Sequence, residues 1–463
     1  MQPIYIVRIM TEKKVPTALG TEKVSKLLLQ YAIPSIIAMT AASLYNMVDS
    51  IFIGQGVGAM AISGLALTFP LMNLAAAFGT LVGMGGATLV SVKLGQKDYD
   101  TARSVLGNVV VLNLLIGALF TLFTLPFLDP ILYFFGASEN TLPYARSYMT
   151  IILLGNALSH LYFGLNAMLR SSGHPRQAMY ATLATVIVNT LLDPIFIFVL
   201  GWGIQGAAVA TILAQVMSLC YQIHLFSDKR ELLHLQKGIF RLKRKIVADS
   251  LSIGMAPFLM NVASCVIVIL INQGLKRHGG DMAIGAYGLS NRLVFIVLMF
   301  VMGLNQGMQP IAGYNFGAQL YHRVTEVLKI TILYATAICM VGFVACMFFP
   351  EAMARIFTTD PELIAKTVRG LRIVVIFFPV IGFQMVTSNF FQSIGMAKKA
   401  IFLSLSRQLL FLLPCVIILP MFFGEVGVWA SMPVSDFIST FVAAVLLWQQ
   451  FRQFQRQRLM EQK

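Results

Sequence analysis

In so apolar a chain, the residues able to do chemistry are those that do not belong in oil, and two aspartates stand out. Asp49 lies in Tyr45-Asn46-Met-Val-Asp49-Ser-Ile-Phe-Ile-Gly, and Asp193 in Asn189-Thr-Leu-Leu-Asp193-Pro194-Ile-Phe-Ile-Phe. A carboxylate at the centre of a bilayer costs about 2.5–3.5 kcal/mol on insertion scales, so each one needs a reason. Tyr45 and Asp49 are four apart in sequence, as are Asn189 and Asp193, and Asn46 is three before Asp49. Such spacings share one helix face. Pro194 has no N–H, which predicts a kink and a freed carbonyl at Thr190 beside the acid. An acid, an amide and a free carbonyl at a kink suit a proton or a small monovalent cation. The residues leave open a purely structural pair, tied to polar neighbours near a helix end and never titrating.

The second half is expected to lack such an acid. It offers amides instead, among them Asn261, Asn305, Gln306, Gln309 and Gln384, with Arg292 in or near a span and Arg407 within one. Amides at helical spacing commonly bind membrane helices together. Tyr45, Asn46, Pro194, Asn261, Gln306, Gln384 and Arg292 are candidates to support the acids or line a substrate path. The glycines around 83–86 and 303–317 form no GxxxxGK[ST] loop, so nothing points to an ATPase, and no cofactor is expected. The 25 Met and 34 Phe would suit a cavity for varied greasy ligands, although most must face lipid or neighbouring helices. Five cysteines lie in apolar runs without a CxxC pair and read as packing residues. Six histidines show no repeated spacing, which argues against a membrane enzyme.

The elements that position the acids must be membrane helices. The chain is 57% hydrophobic and only 11% charged, with mean hydropathy +0.78. A soluble domain needs about a quarter of its residues charged, and each span needs about 20 apolar residues. Breaks between apolar runs predict an all-α integral membrane protein of about twelve transmembrane helices. These lie near 28–52, 61–91, 104–125, 147–168, 178–200 and 204–226, then near 247–274, 284–312, 325–349, 368–391, 400–421 and 426–449.

The two sets are copies. Leu169-Arg-Ser-Ser-Gly173 recurs as Phe391-Gln-Ser-Ile-Gly395, Ala61-Ile62 as Ala283-Ile284, and Leu94-Gly95 as Phe316-Gly317, all at one offset (395 − 173 = 283 − 61 = 317 − 95). A duplicated helical bundle is the build of a secondary transporter, with its path between the halves. The expected organisation is a cytoplasmic tail 1–26, a six-helix lobe 27–226, a basic linker 227–245, a second six-helix lobe 246–450 and a C-terminal tail 451–463. Residues 1–9 read as a product of an upstream start codon, ahead of an ordinary start at Met10, with no cleavable signal peptide.

Net charge is +15. With the N-terminus inside, about 24 of the 34 Lys and Arg fall in loops on that side, which is the positive-inside pattern. The charge therefore reads as topology, with both termini cytoplasmic, and not as a nucleic-acid footprint.

Ala32-Ile-Pro34-Ser, Leu44-Tyr45-Asn46-Met-Val-Asp49-Ser-Ile-Phe-Ile-Gly54, Gly64-Leu-Ala-Leu-Thr-Phe-Pro70, Asn189-Thr-Leu-Leu-Asp193-Pro194 and Gly206-Ala-Ala-Val-Ala-Thr211 together resemble the multidrug and toxic compound extrusion (MATE) transporters, in the MepA-like branch. The likeness runs from about residue 20 to 450. It implies two pseudo-symmetric six-helix lobes around a cavity open to one side at a time. It also implies export of organic cations or other amphipathic xenobiotics, antibiotics included, in exchange for H+ or Na+ across a bacterial inner membrane, by a monomer. Family members with an N-lobe site match at Asp49, Asn189, Asp193 and Thr211, which would also be the ligands of a Na+ ion. Another branch places acids on its seventh and tenth helices. Here 257–265 and 384–392 hold none, which favours the N-lobe. A lipid-linked oligosaccharide flippase of the same superfamily is the alternative. It would need cations facing the cavity, for which Arg292 and Arg407 are the candidates.

Overall fold

A computed structural model describes residues 16–461; the expectation about residues 1–9, most of the N-terminal tail and residues 462–463 lie outside them. Inside hydrocarbon a backbone must satisfy its own polar groups, and with no strand among the described residues it does so by helices alone. The first lobe comprises α1 Val24–Gly56, α2 Ala59–Gly95, α3 Tyr99–Thr124, α4 Leu142–Ser171, α5 Pro175–Pro194 and α6 Gly203–Phe226. The second comprises α7 Arg244–Gly280, α8 Met282–Gly317, α9 Tyr321–Phe348 and α10, a span of two pieces, Pro361–Val374 and Phe378–Ser393, bent by 58°.

The last apolar helix, Ala397–Arg456, runs 60 residues. At 1.5 Å per residue that is about 90 Å, three hydrocarbon thicknesses. It is a hairpin. The backbone turns at Gly424 (φ 57°, ψ −134°), and Lys399 Nζ meets Gln450 Oε1 at 2.6 Å while Arg407 Nε meets Asp436 Oδ1 at 2.8 Å. The legs are α11 (397–423) and α12 (425–456), which brings the spans to the expected twelve.

Local sequence sets the boundaries. Asp98 caps α3 by accepting from Thr101 N, and Asp360 caps α10 by accepting from Glu362 N and Leu363 N. Pro175 and Pro361 open their helices, where the missing N–H costs nothing.

The duplication is written in the backbone. Lys97 and Gln319, separated by the same offset as the sequence repeats, are the non-glycine residues with left-handed φ among those described, both at 60°. Gly58 and Gly280 turn at that offset too. The lobes meet through α1 and α2 against α7 and α8. A methyl group at Gly95 would stand 1.9 Å from Tyr314 O, and one at Gly317 would stand 2.0 Å from Val92 O. These are reciprocal contacts about one pseudo-two-fold axis, and only glycine permits either.

The contacts cluster at the end of the bundle that carries the linker. There Gln309 Nε2 donates to Thr88 Oγ1 (2.8 Å), and Arg323 and Asn315 hold the carbonyl of Leu19, ahead of α1. The linker is docked and not merely a polar tether. Leu232, Leu233 and Ile239 are buried, Arg103 donates to Leu232 O, and His174 Nε2 lies 3.5 Å from Glu231 Oε2.

Candidate functional site

The helix changes its winding just after Pro194, where Ile195–Val199 forms a π-helical turn within the span Pro175–Val199. It ends α5 in the half of the first lobe far from the linker, and Asp193 sits immediately before Pro194. There α5 faces α1, so Asp193 and Asp49 come together. Both are buried, at 0% and 5% exposure, and their carboxyl groups face each other. Two carboxyls placed together in a buried site favour keeping a proton on one of them, because two like charges there repel and are poorly solvated.

Asn189 is fully buried one turn below Asp193. Its amide is assigned with Nδ2 donating to Asp193 Oδ2 (3.0 Å) and Oδ1 accepting from Thr211 N (3.1 Å). The opposite assignment sets two acceptors against each other while Asp193 is ionised. Thr211, on α6, donates to Ala207 O at 3.1 Å and stands 3.4 Å from Tyr45 Oη on α1. Three helices of one lobe thus close around one polar cluster.

Two atoms of that cluster are orphaned. Asp49 Oδ1 and Asp193 Oδ1 are buried without a hydrogen-bond partner, and no Lys or Arg pairs with either acid among the described residues. Leaving a buried polar atom unmade costs about 1–3 kcal/mol, more for a charged one. Two orphaned carboxyl oxygens beside an amide and a hydroxyl are a donor set that a proton or a small monovalent cation fits.

Asp49, Asn189, Asp193 and Thr211 are thus brought together, with Tyr45 at the edge. Asn46 is not among them. Its side chain is exposed, and its carbonyl accepts from Ser50. Asn261 and Arg292 are exposed as well. Gln306 spans the lobes, with Nε2 3.5 Å from Met39 Sδ, and Gln384 is buried in the second lobe. Asn261, Arg292, Gln306 and Gln384 take no part in the interactions that hold the acids.

Tyr148 on α4 is a further member, which the sequence did not single out. It is buried at 2% exposure, and its side chain lies at the cluster beside Thr211. The signal was available, since a tyrosine within a span must find a partner for its hydroxyl.

The expectation that the second lobe lacks an intramembrane acid is wrong. Asp436 lies mid-span in α12, 6% exposed, paired with Arg407 on α11. Ser435 Oγ also donates to Arg407 O (3.0 Å), and Arg407 lies at the start of the π-turn Ser406–Leu412. The apolar run 426–449 hid the acid in the sequence, although the unexplained Arg407 called for one.

The profile of the MatE family matches residues 34–195 and 252–417. The chain belongs to the MatE family. It is therefore a multi-pass membrane transporter, of a family that is not an enzyme class. Multidrug export protein MepA of Staphylococcus haemolyticus (strain JCSC1435) is 28% identical over 91% of this chain and 93% of its own. A solved structure of the MATE multidrug transporter DinF-BH is 36% identical, with a TM-score of 0.87 over 95% of this chain and 98% of that one. An outward-facing multidrug resistance MATE transporter of the MOP superfamily superposes with a TM-score of 0.90 at 23% identity, over 96% and 99% of the two chains, which bears on fold alone.

Proposed function

We propose that this MatE protein exports amphipathic or cationic small molecules from a bacterial cell by alternating access of its two lobes, driven by inward movement of protons. The observation that carries the reading is the facing pair Asp49–Asp193, each buried with an orphaned oxygen and without a cationic partner among the described residues. The names of the MepA and DinF-BH relatives support multidrug export.

Uphill export needs a coupled downhill ion, and each charge crossing 100 mV carries about 2.3 kcal/mol. With two protons the acid pair is neutral and α1, α5 and α6 pack closely; with one it carries a charge that the lobe solvates poorly. Asp49 and Asp193 hold the proton, Asn189 and Thr211 orient the carboxyls, and Tyr45 closes the cluster. Protonation from outside then biases the first lobe towards the packing that releases substrate. The positive-inside pattern supports placing the linker and both termini in the cytoplasm.

The test is efflux of a fluorescent organic cation from proteoliposomes under separately imposed H+ and Na+ gradients. Proton-driven efflux, rising as the receiving side is acidified and lost in Asp193→Asn, is expected. Efflux driven by Na+ alone would keep the residues and overturn the proton. Full-rate uphill export by Asp193→Asn would sink the assignment of the site.

A further inference from the structure

The docked linker ends in a segment, 236–245, with Lys237, Arg241, Lys243, Arg244 and Lys245 all exposed, and no acid lies between Glu231 and Asp249. Two large apolar side chains stand out among these cations, Phe240 at 41% and Leu242 at 45% exposure. Charge alone would serve topology and would need neither a fixed backbone nor exposed apolar groups.

The backbone here is fixed. Ile239 is buried and lies so close to α3 that a methyl group at Gly107 would stand 2.2 Å from its carbonyl oxygen. Asn108 clasps the segment from both sides, donating to Arg241 O (3.0 Å) and accepting from Lys243 N (2.9 Å). Lys243 Nζ is held on Ser104 Oγ at 2.9 Å.

These anchors also set its depth. Ser104 and Asn108 lie about 8–14 Å along the axis of α3 from its first residue, and Arg244 and Lys245 open the span of α7. The segment therefore runs beside the first turns of a membrane helix, at the level of lipid headgroups. Four cations whose heads are free of α3, spaced around an exposed Phe and Leu, match a phosphodiester with its acyl chains beside it.

We propose that residues 236–245 form a binding site for anionic phospholipid in the leaflet on the linker side. Lys237, Arg241, Arg244 and Lys245 engage the headgroup phosphates, while Phe240 and Leu242 enter the acyl boundary. The inference does not depend on the transport reading. It places one lipid contact where the first lobe's α3 is fastened to the start of the second lobe's α7.

The experiment is native mass spectrometry of the full chain from nanodiscs of equimolar phosphatidylglycerol and phosphatidylcholine, with a photoactivatable phosphatidylglycerol to map the contact. Wild type is expected to retain phosphatidylglycerol over phosphatidylcholine by about tenfold or more, with crosslinks in 236–245, and to lose that preference between about 50 and 500 mM NaCl. The exposed-site variant K237Q/R241Q/R244Q/K245Q is expected to fall to within about twofold of no preference. K398Q/K399Q, on the same face, should retain the preference. An unchanged preference in the quadruple variant, or crosslinks elsewhere, overturns the proposal. If that variant misfolds, the wild-type crosslinks and salt dependence decide alone.

Discussion

Each lobe hides carboxyl groups inside the membrane, yet the two lobes treat them oppositely. In the first lobe Asp193 meets another carboxyl, Asp49, and each keeps a buried oxygen without a partner. In the second, Asp436 meets the guanidinium of Arg407 at 2.8 Å. Two carboxyls facing each other in a poorly solvated site favour keeping a proton on one of them, so the charge of the pair responds when a proton arrives or leaves. A carboxylate facing a guanidinium is already balanced, because arginine does not release its proton. The duplication supplied two similar bundles, and the charges placed in them left one with two facing acids and the other with an ion pair that ties α11 to α12.

The largest effect that would break this comparison is expected at Asp193→Asn. Uphill efflux in proteoliposomes should fall by about 100-fold, with downhill exchange less affected; equal loss in Asp436→Asn would erase the distinction. Next, Asp436→Ala leaves Arg407 uncompensated and should destabilise the protein by about 3–5 kcal/mol, read as a lower melting temperature in detergent. The double variant Arg407→Leu/Asp436→Leu should recover most of that stability and still transport. A double variant as unstable as the single would show that the pair does more than hold two helices.

The lobes should behave alike at their reciprocal glycines. Gly95→Ala and Gly317→Ala each push a methyl group into the opposite lobe's backbone. Each should cost about 1–3 kcal/mol, and by a similar amount. The yield of disulfide trapping between Thr88→Cys and Gln309→Cys, introduced in a cysteine-free background, should fall in both. A fall in one alone would contradict the pseudo-two-fold contact. Thr211→Val should slow coupled efflux about fivefold, equivalent to about 1 kcal/mol for one hydrogen-bonding hydroxyl. Asn46→Ala, with its exposed side chain, should stay within about twofold of wild type in the same assay.

The sequence carried much of this site because helical periodicity is local. The i, i+4 spacing put Asn189 and Asp193 on one face, and the cost of a charge in hydrocarbon marked Asp49 and Asp193. It failed where the partner is distant along the chain. Asn46 shares a helix with Asp49, but a step of about 100° between residues turned it to the exposed side. Tyr148 lies on α4, with all of α5 between it and Thr211 in the chain, and no spacing rule reaches that far. Asp436 went unnoticed because a single acid barely lowers the mean hydropathy of a long span, while its partner Arg407 lies across the hairpin.

By itself the sequence determined that the chain is a duplicated set of membrane helices, since a backbone in oil must bond to itself and the apolar runs are long enough to do so. It determined where the halves repeat and that Asp49 and Asp193 stand out of place. Only the tertiary structure decided who meets whom. Packing α5 on α1 set two acids face to face, and folding α11 back on α12 gave the third acid an arginine. The function of a buried charge depends on its neighbour, and neighbours across helices are chosen by packing in three dimensions.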